Sequence, residues 1–141
     1  MTDADLVRKR LAFIETCLRE LAEIADSERV EHDVRERRFV EHTLQIAIQA
    51  ALDIASHVVA SERFGEPSSN QELFEILERV GWVTSRLASE LRKMVGFRNI
   101  LVHGYLAVDP AVVRDVVENR LHDIEAFVAS IRQRLDDVSS E

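Results

Sequence analysis

Apolar residues in this chain recur at steps of three and four in long, barely interrupted blocks. Val7, Leu11, Ile14, Leu18 and Leu21 form one such row, and Val40, Leu44, Ala47, Ala51, Ile54 and Val58 a second. Leu87, Leu91, Met94 and Val95 form a third, and Val113, Val117, Leu121, Ile124, Val128, Ile131 and Leu135 a fourth. At 3.6 residues per turn this spacing lines one face of a helix, whereas a strand would need alternation. Only 4 Gly and 2 Pro in 141 residues leave little turn chemistry, which argues against many short strands. The pattern predicts an all-α chain, an antiparallel bundle of about five helices forming one domain over residues 1–141. Long apolar seams of this kind often pair, but the pattern alone does not decide for a homodimer.

The boundaries can be placed from cap and break residues. The first helix is expected from Thr2 or Asp3 to about Ile24, with Phe13, Cys17 and Ile24 widening its buried stripe. Asp26-Ser27 breaks the pattern, and the charged span Glu28–Arg38 reads either as loop or as the exposed start of a second helix, about Val34 to Arg63. Phe64–Asn70 contains both Gly and Pro and is the clearest loop. Ser69 stands three before Glu72, a capping-box spacing, and opens a short third helix from about Asn70 to Val80. Leu73, Ile76, Leu77 and Val80 are its apolar residues. Gly81 is expected to end it, with Trp82 and Val83 covering the core. A fourth helix starts near Thr84 or Ser85. Asp109 and Pro110, as cap and first turn, open a fifth that runs almost to the end, with Asp136–Glu141 expected to fray.

The formal net charge is -8, which argues against nonspecific coating of nucleic acid. A local basic groove stays open. Positive clusters occur at Arg8-Lys9-Arg10, at Arg35 with Arg37-Arg38, and at Arg92-Lys93 with Arg98; for the first two, solvated helix faces are the simpler reading. Cys17 is the single cysteine, so neither an intrachain disulfide nor a cysteine-based zinc site can form, and its place in an apolar stripe reads as core. The five histidines lack the spacing of a helical zinc site, and the four glycines lie too far apart for a phosphate loop. There is no run of 18 apolar residues and no signal-peptide pattern, so a cytoplasmic location is expected.

Chemistry concentrates in Phe97-Arg98-Asn99-Ile100-Leu101-Val102-His103-Gly104-Tyr105. Arginine stays protonated and binds phosphate through a planar fork, and histidine exchanges protons near neutrality. The set suits phosphodiester chemistry. Asn99 and His103 would share a helical face, but Arg98 and His103, five apart, would diverge by roughly 140°. They could converge if the helix ends near Gly104, whose left-handed freedom suits a helix end, or if a second copy of the chain lies opposite. The plainer reading has Arg98 binding carbonyls at a helix end, His103 filling a core gap and Tyr105 packing. A second polar feature lies on the second helix, where Gln45, Gln49, Asp53 and His57 recur at steps of four. It is either the solvent side or a line facing a groove or subunit interface near the Arg98–His103 stretch. In the second case Asp53 could orient His103 or pair with Arg98.

Arg98-Asn99-Ile100-Leu101-Val102-His103 followed by Tyr105 resembles the R-x4-H-x-Y motif of the HepT-like branch of HEPN proteins. Phe64-Gly65-Glu66-Pro67, the run Leu91–Asn99 and the Asp109-Pro110 helix start are similar to the same branch, and the order of helices agrees over essentially the whole chain. The resemblance implies an all-α homodimer with the Arg and His of both subunits in an interface cleft. It implies a metal-independent endoribonuclease without a cofactor, the toxin of a toxin–antitoxin pair. Its antitoxin would be MntA, a small nucleotidyltransferase that transfers AMP groups to the motif tyrosine, here Tyr105. On this resemblance Arg98 is expected to hold the scissile phosphate and His103 to assist proton transfer. Asn99 is expected to orient His103 or bind phosphate; a supporting role for Asp53 rests on its place in the polar row of the second helix.

Two other readings compete. One is a non-catalytic helical module that engages a nucleotidyltransferase. The other is a nucleotide-binding or nucleotidyl-transfer protein, for which the chain lacks both a carboxylate pair and a glycine loop.

Overall fold

A computed structural model describes residues 2–139, the last two of these by backbone alone. Among the described residues six α-helices follow one another: α1 (Ala4–Glu23), α2 (Val34–Ser61), α3 (Asn70–Arg79), α4 (Ser85–His103), α5 (Pro110–Asn119) and α6 (Leu121–Ser139). Short 3-10 turns cover Ser27–Arg29 and Tyr105–Ala107. No strand occurs among the described residues.

Most helix starts follow from one side chain each. Asp3, Asp33, Ser69, Thr84 and Asp109 occupy extended N-cap positions, and each accepts a hydrogen bond from a first-turn amide. The Ser69 hydroxyl accepts from the Glu72 amide at 3.2 Å, and the Glu72 carboxylate reaches back to the Ser68 amide at 2.7 Å. The Asp33 cap divides the charged span, with turn before it and helix from Val34 onward. α3 ends with Gly81 at φ 81°, where Trp82 N–H donates to the Leu77 carbonyl and Gly81 N–H to that of Glu78. α2 ends the same way without glycine: Arg63 adopts φ 57°, and Phe64 N–H donates to the Val59 carbonyl.

α2 is the central element. α1 packs along one side of it, and α3, α4, α5 and α6 take up the rest of its surface. Its buried residues include the whole expected row from Val40 to Val58, joined by Ile48, Leu52, Ala55 and Val59. By length and composition α2 could cross a membrane, although no uninterrupted run of 18 apolar residues exists in it; 61% of its most apolar stretch is buried inside the bundle. Phe74 of α3 and Phe127 of α6, both fully buried, meet edge to face with ring centroids 5.8 Å apart. Trp82 is half-buried and packs edge to face with Phe64, and Val83, in the same α3–α4 connection, is buried.

Several expectations need correction. The C-terminal row is carried by two helices, because the chain turns at Arg120 and leaves α5 against α2 and α6 against α1 and α4. The apolar spacing runs through the turn unbroken, so periodicity could not reveal it. Phe13 and Ile24 do not widen the α1 stripe: they are 45% and 66% exposed. Gly104 caps α4 at φ -116°, so left-handed freedom is not what ends that helix. α6 continues to Ser139, past the point where fraying was expected to begin, and Ser140 and Glu141 lie outside the described residues.

Candidate active site

α4 is unbroken from Ser85 to His103, so Arg98, Asn99 and His103 all project from one helix. Thr84 caps its start, and the Gly104 amide closes its end on the Ile100 carbonyl at 2.9 Å. Asn99 and His103 are exposed and four residues apart, hence on one face. Arg98 is half-buried and points about 140° away from His103 around the helix. The helix does end at Gly104, but only after both residues, so its ending brings neither toward the other. Within one chain the arginine and the histidine sit on different faces.

Arg98 reaches α2. Its Nη2 donates to Gln49 Oε1 at 2.6 Å, and its Nη1 donates to Asn99 Oδ1 at 3.1 Å. Its Nε is buried and has no protein acceptor among the described residues. Gln49 in turn donates from Nε2 to Asp53 Oδ1 at 2.9 Å, and Asp53 Oδ2 accepts from Arg10 Nη1 of α1 at 3.4 Å. Asp53 thus touches neither His103 nor Arg98 directly; Gln49 stands between. Arg10, which reads from sequence as part of a solvated cluster, is held at this seam, and Arg8 pairs with Asp136. His57 accepts the Asp3 amide on Nε2 at 3.0 Å, tying the row to the start of α1. Gln49, Asp53 and His57 are all half-buried and engaged, so the row faces the seam with α1 and α4 rather than open solvent. A groove of about 340 Å³ opens beside it, lined by Lys9, Arg10, Phe13, Ile46, Gln49, Ala50 and Asp53.

Beyond the helix end, Tyr105 opens a 3-10 turn and is 68% exposed; its neighbour Leu106 is 91% exposed. The side chains of His103 and Tyr105 make no hydrogen bond within the described residues. The plainer reading of the motif therefore fails in each part: Arg98 binds side-chain amides, His103 does not fill a core gap, and Tyr105 does not pack. Among the described residues no group of three or more His, Cys, Asp or Glu side chains is placed to hold a metal ion.

Around the end of α4 the described residues present a guanidinium held on Gln49 and Asn99, an exposed imidazole and, on the following turn, an exposed phenol. The sequence model of the Ribonuclease HepT-like family matches residues 14–131. The chain belongs to the HepT-like ribonuclease family. The chain is similar to other HepT-like proteins over most of its length. It is 31% identical to the mRNA nuclease HepT of Shewanella oneidensis over 129 residues, 91% of this chain and 97% of that one. It is 32% identical to the tRNA nuclease HepT of Aphanizomenon flos-aquae over 101 residues, 72% of this chain and 69% of that one. The structure of the tri-AMPylated Shewanella oneidensis HEPN toxin in complex with MNT antitoxin superposes with a TM-score of 0.86 at 30% identity, covering 94% of this chain and 99% of that one. The bundle is thus the HEPN fold, and the six-helix order built from caps and apolar rows is that of a HepT-like protein.

Sequence reasoning located the motif and the polar row on α2. It offered a link between them through Asp53 as one of two readings, but did not name Gln49 as the residue that reaches Arg98, because the two are 49 residues apart. It also missed Arg10, whose only signal was membership of a basic cluster.

Proposed function

We propose that this HepT-like chain is a cytoplasmic endoribonuclease toxin that works as a homodimer without a metal ion. The observation that carries this reading is the divergence of Arg98 and His103 on one straight helix, with His103 free. A symmetry-related α4 would bring the arginine of one protomer toward the histidine of the other, as a two-fold interface places the same surface of each partner in contact. The similarity to two nucleases and to a toxin held by an antitoxin supports the same reading.

In the proposed reaction the fork of Arg98 binds a non-bridging phosphate oxygen and stabilises the charge that grows there. The RNA 2′-hydroxyl attacks the adjacent phosphorus, and its proton leaves to a base. The bond from phosphorus to the 5′-oxygen breaks, and that oxygen is protonated. His103 serves one of these two proton transfers. The products are a 2′,3′-cyclic phosphate and a free 5′-hydroxyl. Asn99, one turn from His103 and bonded to Arg98, orients the imidazole or adds a phosphate contact.

Control is proposed to act on Tyr105. A MntA-like nucleotidyltransferase antitoxin would catalyse attack of the phenolic oxygen on the α-phosphorus of ATP, with pyrophosphate leaving and the phenolic proton passing to a base. The added AMP would set bulk and negative charge beside His103 and exclude RNA by contact and repulsion.

The test is cleavage of a labelled RNA by unmodified protein in EDTA beside a His103→Ala control. Cleavage by the first and not the second supports the proposal. If neither cleaves, with unmodified mass confirmed, a non-catalytic module that binds a nucleotidyltransferase becomes the better reading, and the acidic net charge already leans toward it.

A further inference from the structure

We propose that Gln49 is a positioning residue for Arg98, holding its guanidinium in the orientation that phosphate requires. The inference rests on the reading of Arg98 as the phosphate ligand, and goes beyond it by naming what aims the fork. The geometry runs Arg10–Asp53–Gln49–Arg98 across three helices, α1, α2 and α4, at 3.4, 2.9 and 2.6 Å.

The chemistry of the link singles out an amide. Arginine can only donate hydrogen bonds and an ionised aspartate can only accept them. A side chain placed between the two must accept on one side and donate on the other. Gln49 does both, and its partners fix which end of the amide is oxygen and which nitrogen. A carboxylate at this position would face Asp53 and would also neutralise the cation meant for phosphate. An aliphatic side chain would leave Nη2 of Arg98 and Oδ1 of Asp53 without their partners. The amide therefore orients Arg98 while leaving its charge available. With Nη2 on Gln49 and Nη1 on Asn99, two arms of the fork are set, and a long side chain that would otherwise sample many rotamers is preorganised.

Arg10 and Asp53 supply the outer anchor. Asp53 holds the amide from turning over, and Arg10 holds Asp53 from the neighbouring helix. This accounts for the half-buried Gln49 and Asp53 on the apolar middle of α2.

The test uses the full chain in unmodified form with two readouts. The first is the NMR signature of the Arg98 Nη groups in ¹⁵N-arginine-labelled protein. Distinct, slowly rotating Nη signals are expected in the native protein, collapsing to an average in Gln49→Met. Averaged signals already present in the native protein would overturn the proposal. The second is single-turnover RNA cleavage. Misplacing the phosphate ligand should lower the rate at saturating enzyme by on the order of 10²-fold, with a smaller change in the concentration for half-saturation and no change in circular dichroism. An unchanged rate would also overturn the proposal. Should Gln49→Met fail to fold, Arg10→Met removes only the outer anchor from a partly exposed position. It should cause a smaller loss of the same kind, and no loss counts against the idea. If the native protein cleaves no RNA while the Nη signals still collapse in the variant, the ribonuclease reading falls and the positional coupling stands.

Discussion

Arg98 and His103 lie on one uninterrupted helix and face about 140° apart. A site needing both must be completed from elsewhere, and in the proposed homodimer a second copy of the same chain would supply it. Mixing inactive Arg98→Ala and His103→Ala proteins should then restore cleavage, because a mixed dimer can pair an intact arginine with an intact histidine. Random exchange with one of two sites intact in each mixed dimer would give about a quarter of native activity. Mixtures as inactive as their parents, with subunit exchange verified, would place the whole site within one protomer.

His103 is exposed and makes no hydrogen bond that the fold depends on. His103→Ala should leave unfolding free energy within about 0.5 kcal/mol of native while lowering cleavage by roughly 10²- to 10⁴-fold. Thermal melts run beside the cleavage assay separate the two effects. A large loss of stability would return His103 to a structural role.

Tyr105 is 68% exposed on the turn after α4. Tyr105→Phe removes only the phenolic oxygen, so fold and cleavage should persist while control by the antitoxin is lost. Intact mass after incubation with ATP and a MntA-like nucleotidyltransferase reads this directly: the native chain should gain AMP and the variant none. Equal AMP gain by both would move the modification to another residue.

Arg63 ends α2 at φ 57°, a conformation that costs an L-residue on the order of 1–2 kcal/mol. Glycine avoids that cost but loses more chain entropy on folding. Arg63→Gly should therefore stabilise the protein by a net of roughly 0.5–1 kcal/mol, read as a higher denaturation midpoint in urea. A lower midpoint would mean that contacts of the arginine side chain outweigh the backbone strain.

Cys17 is 1% exposed, and burial first, then the nearby Glu20 carboxylate, push its thiol from 9.0 up to about 11. In the unfolded chain the thiol ionises near its ordinary value, so unfolding releases a proton at high pH. The contribution of Cys17 to stability is fully present below pH 9 and is lost as pH rises from there toward 11. Relative to Cys17→Ala, the native chain should lose stability over that window. Alkylation of the folded protein by iodoacetamide at pH 8 should be far slower than that of the unfolded chain; equal rates would contradict the burial.

Much of this fold is written in local sequence. The rows Val7–Leu21, Val40–Val58 and Leu87–Val95 bury as their spacing requires, since helical periodicity depends on neighbours within a turn or two. Asp3, Ser69, Thr84 and Asp109 start helices because a short polar side chain satisfies amides three residues away at most. The motif Arg98 to Tyr105 was legible for the same reason, as residue types in fixed order on one segment. Tertiary structure decided the rest. The turn at Arg120 leaves no mark on the apolar spacing, and arises because α5 and α6 pack on different neighbours. Phe13 and Cys17 are both apolar residues of α1, yet one lines an open groove and the other is sealed, which only the placement of α2 settles. The bond from Arg98 to Gln49 joins residues 49 apart, and its direction depends on how α2 and α4 cross. Sequence by itself determined most of the helices and marked the segment from Arg98 to Tyr105 as the candidate site. Packing alone determined which of those residues meet, because a contact between distant segments is a property of the assembled core and not of either segment.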